Sequence, residues 1–414
     1  MKLWTLELFR ALQHRNFRLF FYGQMLSMAG TWMQRVAQGW LAYRLTGSAN
    51  FLGLVAFTGS APAFFLSPLA GVVADRVNRH RMLMIAQTLA MAQSFLLALA
   101  TLRGSITPTQ LVALALLLGA INAFENPARQ AFFVEMISRE DLTNAIALNA
   151  SIVNAARIVG PASAGLLVAA YGEGVCFLLN GLSFLAVIAA LAMMRLTRRP
   201  KEASPGSGPE LLREGFAFVR QTLPVRSLLS LFAVLNLAGT PYITLLPIFA
   251  GTVLHAGPTG LGWLMAASGL GALVCAIALA SRSDTRKLPG AVMRAAFVFA
   301  AALIVLGLSH FLSLSLMMML LIGGGYIVTL AATQTLLQTW VPDGLRGRVM
   351  SFYSLIFLGF PPFGSLLAGW FAEKIGAPLT VSLGGVICLI AALRFAQFHS
   401  AQRTAGYDRL EYSR

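Results

Sequence analysis

The chain is expected to be an all-α polytopic membrane protein, with twelve transmembrane helices in two pseudo-symmetric six-helix bundles. Its hydropathy, its long apolar runs and an internal repeat predict this. Hydrophobic residues fill 57% of the 414 positions and charged ones 11%, with a mean hydropathy of +0.73. A soluble domain could not cover its surface with so few charges. A bilayer core of about 30 Å needs a helix of roughly 20 residues. Such runs fall at 17–43, 50–74, 82–102, 108–128, 142–170 and 174–194, then at 225–250, 259–281, 289–309, 311–336, 349–371 and 378–399. Gln130, Gly160, Gly165 and Gly172 recur at one constant offset as Gln334, Gly364, Gly369 and Gly376, so each set of six reads as a copy of the other.

The bundles are expected at 1–194 and 225–414, the second with a tail. The polar stretch 195–224 between them carries Arg198-Arg199-Pro200-Lys201 and cannot cross a membrane. Its second part sets Leu211, Leu212, Phe216 and Val219 among charges. That pattern fits a short surface helix or a solvated linker equally well.

Orientation follows from Lys and Arg, which cytoplasmic loops retain. Of the 31 such residues, Arg44, Arg103 and Lys374 fall in loops of one side, and Arg35 and Arg157 fall inside spans. The others lie on the side that holds both termini, which is therefore expected to be the cytoplasm. A positive cytoplasmic face also accounts for the net charge of +16 without a nucleic-acid partner. The start of the chain lacks the layout of a cleaved signal peptide. Cys176, Cys275 and Cys388 have no paired spacing and read as small core residues; neither a metal nor another cofactor is expected. No nucleotide-binding loop or hydrolase elbow is present, so the chain is not expected to be an enzyme or an ATP-driven pump. An ion gradient, or the cargo's own gradient, must supply the driving force.

The costly residues are those with charge in apolar surroundings. An arginine at a helix centre costs roughly 2.5–3.5 kcal/mol on insertion scales, so Arg35 and Arg157 face a cavity or a partner. They are satisfied by carbonyls or headgroups, or they form a cationic wall for an anionic or polar cargo. Arg35 is expected to share a face with Gln34 and Gln38. Glu125 is the carboxylate within the first bundle's spans. Desolvated, it could take up and release a proton; alternatively it pairs with Arg129 one turn on. Amides in hydrocarbon need partners, so Gln34, Gln38, Asn122, Asn154, Asn236 and Gln334, with Tyr242, are candidate cavity residues beside the two arginines.

The loop Gly71-Val-Val-Ala-Asp75-Arg76-Val-Asn-Arg79-His80-Arg81 resembles the cytoplasmic signature of the major facilitator superfamily, G-x-x-x-D-R-x-x-R, with His80 where a basic residue is usual. The second half keeps only Ser281-Arg282-Ser283-Asp284 at this place. Gly71 would let two helices approach, and Asp75, Arg76 and Arg79, with Arg129, would gate the cytoplasmic end; the plainer reading is a positive loop. With this loop, the stretches 31–40, Asn126-Pro127-Ala128-Arg129-Gln130 and Ala156-Arg157-Ile158-Val159-Gly160-Pro161 are similar to the enterobactin-exporter-like group of proton-coupled efflux carriers. Gly160-Pro161, with Gly165, resembles that superfamily's antiporter signature and would act as a hinge or seal, or as a packing kink. The resemblance implies export by alternating access of a small amphipathic or polar molecule, of the drug or siderophore class, driven by protons. It further implies a monomer among the lipids of a cytoplasmic or inner membrane. A lysophospholipid or other lipid transporter is the alternative within transport; a non-transporting membrane sensor or assembly factor is the alternative outside it.

Overall fold

The computed structural model describes residues 9–138, 140–195, 209–281 and 284–404, and these are helical almost throughout. Six long helices come first: α1 (Arg15–Thr46), α2 (Ala49–Arg76), α3 (Arg79–Leu102), α4 (Pro108–Met136), α5 (Leu142–Tyr171) and α6 (Glu173–Ala192). A short helix, α7 (Pro209–Gln221), precedes α8 (Leu223–Val253), α9 (Gly257–Ala280), α10 (Leu288–Leu308), α11 (Leu312–Trp340), α12 (Asp343–Ile375) and α13 (Ala377–Thr404). Each expected span has its helix. Several helices run beyond the apolar stretch, α4 to Met136 and α12 back to Asp343, because the backbone ladder continues after the side chains turn polar.

Among the described residues, eleven helices are long and apolar enough to cross a membrane. The remaining long helix, α1, has 32 residues but carries Gln24, Gln34, Arg35, Gln38 and Arg44. The bundle supplies polar partners for two of these, Arg44 on Glu173 and Gln34. Gln34 donates to Gln93 at 3.2 Å and accepts from Ser94 at 2.8 Å and Asn180 at 2.7 Å, and Gln93 donates to the Leu114 carbonyl at 3.1 Å. This network joins α1, α3, α4 and α6, and each amide–amide or amide–hydroxyl contact of this kind contributes about 0.6–2 kcal/mol in a membrane.

The chain divides into two compact units, Met1–Ala203 with Leu246–Ala266, and Ser204–Leu245 with Ala267–Arg414. In the first, Gly23 and Gly30 bring α1 against the α6 backbone at Ala186 and Asn180, and Phe17, Phe20, Phe132 and Phe133 interleave. One end of the unit is tied by Arg44 on Glu173 at 2.7 Å. At the other end Asp141, 7% exposed, meets His14 at 2.8 Å and Arg10 at 2.9 Å. The His14 hydrogen bond, with the charge of Arg10, holds the Asp141 carboxyl below its ordinary value of 3.8 despite the opposing effect of burial.

In the second unit α10 packs on α11 and α13. The Phe232 and Tyr353 rings stack at 4.8 Å, and Tyr326 donates to Asn236 at 2.9 Å. The stretch read as a surface helix or linker forms α7, which docks on α12 through the Glu214–Arg348 ion pair and the Phe216–Phe352 rings. Residues 196–208 of the expected linker lie outside the described residues.

The repeat is structural. Gly172 and Gly376 end α5 and α12 with φ of +80° and +85°, a conformation L side chains rarely adopt. Gly160 lies against the α1 backbone at the Ala29 carbonyl, and Gly364 against the α8 backbone at the Leu237 carbonyl.

Candidate functional site

Two faces of α1 do different work. Gly23, Gly30 and Gln34 face α6, as described above. Met28, Trp32, Arg35 and Gly39 recur at helical spacing on another face. Met28 accepts from Arg129 of α4 at 4.0 Å, Trp32 lies against Gly160 of α5, and Gly39 faces Pro247. Gln34 and Arg35 therefore do not share a face, contrary to the sequence-based expectation, because adjacent helical residues point about 100° apart.

Trp32 is the centre of this second face. The Arg35 guanidinium lies 4.9 Å from its ring centroid and that of Arg157 lies 5.5 Å away. Gly160, one turn beyond Arg157, permits this arrangement: a Cβ there would stand 2.6 Å from the Trp32 Cβ and 2.9 Å from the Ala29 carbonyl oxygen. Each cation–π contact contributes about 0.5–2 kcal/mol, less than an arginine costs within a span. Among the described residues neither guanidinium has a hydrogen-bond acceptor or an ion pair. Arg35 is exposed and Arg157 half-buried.

Arg129 and Glu125 extend the cluster. Arg129 pairs with Glu125 at 3.7 Å and donates to Asn126 at 3.0 Å, and buried Gln87 of α3 donates to Glu125 at 3.2 Å. The pairing weighed for Glu125 is thus present within the apolar span Pro108–Phe133. The charges of Arg157, Arg129 and Glu125 all reach Arg35. With Glu125 ionised the group holds three cations and one anion. Gln87 and Asn126 were not among the expected site residues; Trp32, within the family-like stretch 31–40, is one of many aromatics in the sequence, and its place three residues before Arg35 singles it out.

The remaining candidates do not join this cluster. Asn154 donates to the Ala150 carbonyl of its own helix at 2.9 Å, and Gln38 and Asn122 are half-buried. In the second unit Asn236 is fully buried and held by Tyr326, Tyr242 meets Ser268 at 3.3 Å, and Gln334 is exposed. Gly165 packs against Pro258 and Gly262, whose own Cβ position is filled by the Pro161 carbonyl, so Gly160, Pro161 and Gly165 line two close helix crossings. A Cβ at Gly71 would meet nothing within 4 Å; the close approach expected there is not made. Arg76 is exposed and Arg79 half-buried, while the Asp75 side chain lies outside the described residues. His80, the departure from the loop signature, bonds the Leu191 carbonyl at 2.8 Å and sits by the Phe132 ring, so the imidazole fastens the start of α3 to α6.

Residues 7–408 match the family model described as "Transmembrane secretion effector". The chain belongs to this family of the major facilitator superfamily. It is similar to the staphyloferrin A transporter of Staphylococcus aureus (strain NCTC 8325 / PS 47), 25% identical over 91% of this chain and 95% of that protein. It is also similar to the multidrug efflux pump Tap of Mycolicibacterium fortuitum, 26% identical over 87% and 90%. Among solved structures it resembles the nucleoside transporter NupG, with a TM-score of 0.74 at 14% identity over 92% of this chain and 98% of that one, a likeness of fold. The protein is a multi-pass membrane transporter of the efflux type, not an enzyme, and takes a small-molecule substrate.

Proposed function

We propose that this carrier exports a small amphipathic or polar molecule in exchange for protons, alternating access between bundles at 1–194 and 225–414. It works as a monomer in the cytoplasmic or inner membrane, with both termini in the cytoplasm. Relatives that move a siderophore or many drugs support the efflux direction. The observation that carries proton coupling is the Glu125–Arg129 pair with Gln87, a carboxylate inside an apolar span whose charge also acts on Arg35. Protonating Glu125 removes the negative partner of Arg129 and changes the field on the cluster by a full charge. Such a step links proton uptake to the site that meets cargo. Arg35 and Arg157 with Trp32 form the cargo-facing wall, the crossing of Pro161 and Gly165 with Pro258 and Gly262 is the surface that parts as access alternates, and Gly160 seals α5 on α1. The loop Gly71, Asp75, Arg76 and Arg79 gates the cytoplasmic end.

Two experiments test this. Cells stripped of their major efflux pumps are grown with and without the protein on cationic drugs, macrolides and iron-chelating siderophores. Resistance that vanishes with a protonophore is expected on part of the panel. In vesicles, Glu125→Gln is expected to reduce uphill transport of the identified cargo more than 10-fold while exchange stays within about two-fold. Uphill transport at the wild-type rate in that variant would remove Glu125 from the coupling role.

A further inference from the structure

We infer that Arg35 and Arg157 receive an oxyanion of the cargo, a carboxylate or a phosphate, beside the Trp32 indole. The inference rests on the export reading above and narrows its substrate class.

Each guanidinium brings five N–H donors in a planar fork matched to two oxygens of a carboxylate or phosphate. Arg129 shows how this chain satisfies such a group, with Glu125, Asn126 and Met28 around it. Arg35 and Arg157 have only the indole face. They are like charges drawn to one ring, and among the described residues no carboxylate lies within ion-pair distance of either. They also lie well inside their helices, Arg157 about 22 Å along α5 from Leu142 at 1.5 Å per residue.

Packing shows that this face is turned inward. Met28, Trp32 and Gly39 on the same stripe touch Arg129, Gly160 and Pro247, so Arg35 projects beside protein groups and not into lipid. The counterpart in the other half is uncharged: the α8–α12 crossing at Leu237 and Gly364 sets Thr240 and Ile243 where α1 has Trp32 and Arg35, and the repeat offset sets Pro361 where α5 has Arg157. A cationic cargo would enter a group already carrying two excess positive charges, whereas an anion would complete it. The indole leaves a flat apolar surface for the body of the molecule.

The test is binding to the purified full-length protein in detergent, read by thermal shift and by equilibrium dialysis, without any gradient. The probes are citrate, salicylate, lysophosphatidylglycerol and, as the cation, tetraphenylphosphonium. At least one anion is expected to bind and the cation to bind at least 10-fold more weakly. Arg35→Gln and Arg157→Gln should each weaken the anion about 10-fold or more. Arg35→Lys and Arg157→Lys, which keep charge without the fork, should fall between and show that loss is not unfolding. Binding of lysophosphatidylglycerol alone would identify the oxyanion as a lipid headgroup; binding of citrate or salicylate would identify a soluble acid. Tetraphenylphosphonium binding as tightly as the best anion, anion binding unchanged in both Gln variants, or no anion binding at all would overturn the inference. Failure of the export reading looks different: wild-type protein that binds the anion but shows no proton-driven transport would overturn the coupling and leave the anion site standing.

Discussion

At the α1–α5 crossing Gly160 lies against Ala29 and Trp32, and at the α8–α12 crossing Gly364 lies against Leu237 and Pro241. The two places are copies, yet the first carries a tryptophan between two arginines and the second has Thr240 and Ile243 where α1 has Trp32 and Arg35. The helices differ too: α1 is regular over its length, whereas α8 is interrupted by π-helical turns at Leu235–Gly239 and Phe249–Val253. Close packing at a glycine is thus what the duplicated architecture requires. The charge is what one copy has added to it, as expected if one half holds the chemistry and the other supplies an apolar counterpart.

The sharpest way to break this comparison is to place the charge in the wrong half. Ile243→Arg is expected to cost about 3 kcal/mol, because Thr240 offers no aromatic face; the measurement is thermal unfolding in detergent beside wild type. A variant as stable as wild type would mean that the setting of Arg35 is not special. The glycines come next. Gly364→Ala drives a methyl into the Leu237 carbonyl and should destabilise by about 1–3 kcal/mol. Gly160→Ala should cost the same or less, but it displaces Trp32 and should reduce transport beyond what its stability explains.

The buried amides give a smaller contrast. Gln34→Ala leaves Gln93, Ser94 and Asn180 short of a partner and should cost about 1–2 kcal/mol, and Asn236→Ala, which abandons chiefly Tyr326, about 0.6–1 kcal/mol. Equal losses would show that the first unit's network is no tighter than the second's. The smallest expected effect is at the starts of α5 and α12. Asp141 is buried against His14 and Arg10, while the Asp343 side chain is 90% exposed beside Arg346. Since the Asp141 carboxyl is held below its ordinary value, its stabilisation is complete above pH 3.8 and is lost as the pH falls through the folded-state value. Asp141→Asn should therefore lower the melting temperature at pH 7, and the difference should shrink in acid. Asp343→Asn should change little at either pH.

Much of this was legible in the chain itself. Length and hydropathy specify membrane helices because a bilayer accepts little else, and α1 was recognisable despite its polar residues because apolar runs such as 19–22 and 40–43 lie on either side of Gln34, Arg35 and Gln38. The recurrence of Gly160 with Gly364 and of Gly172 with Gly376 was readable because close crossings and left-handed caps demand glycine wherever they recur. Arg35, Arg157 and Glu125 stood out because charge within hydrocarbon is costly. The sequence could not say which partner offsets that cost, since the partners come from other helices. Tertiary structure alone decided that Gln34 turns into a closed network while its neighbour Arg35 meets Trp32. It also decided that Glu125 pairs with Arg129 under Gln87, and that Gly71 stands free while Gly160 is pressed against α1. Helical periodicity sets the angle between two side chains, but only packing sets which of them faces the interior.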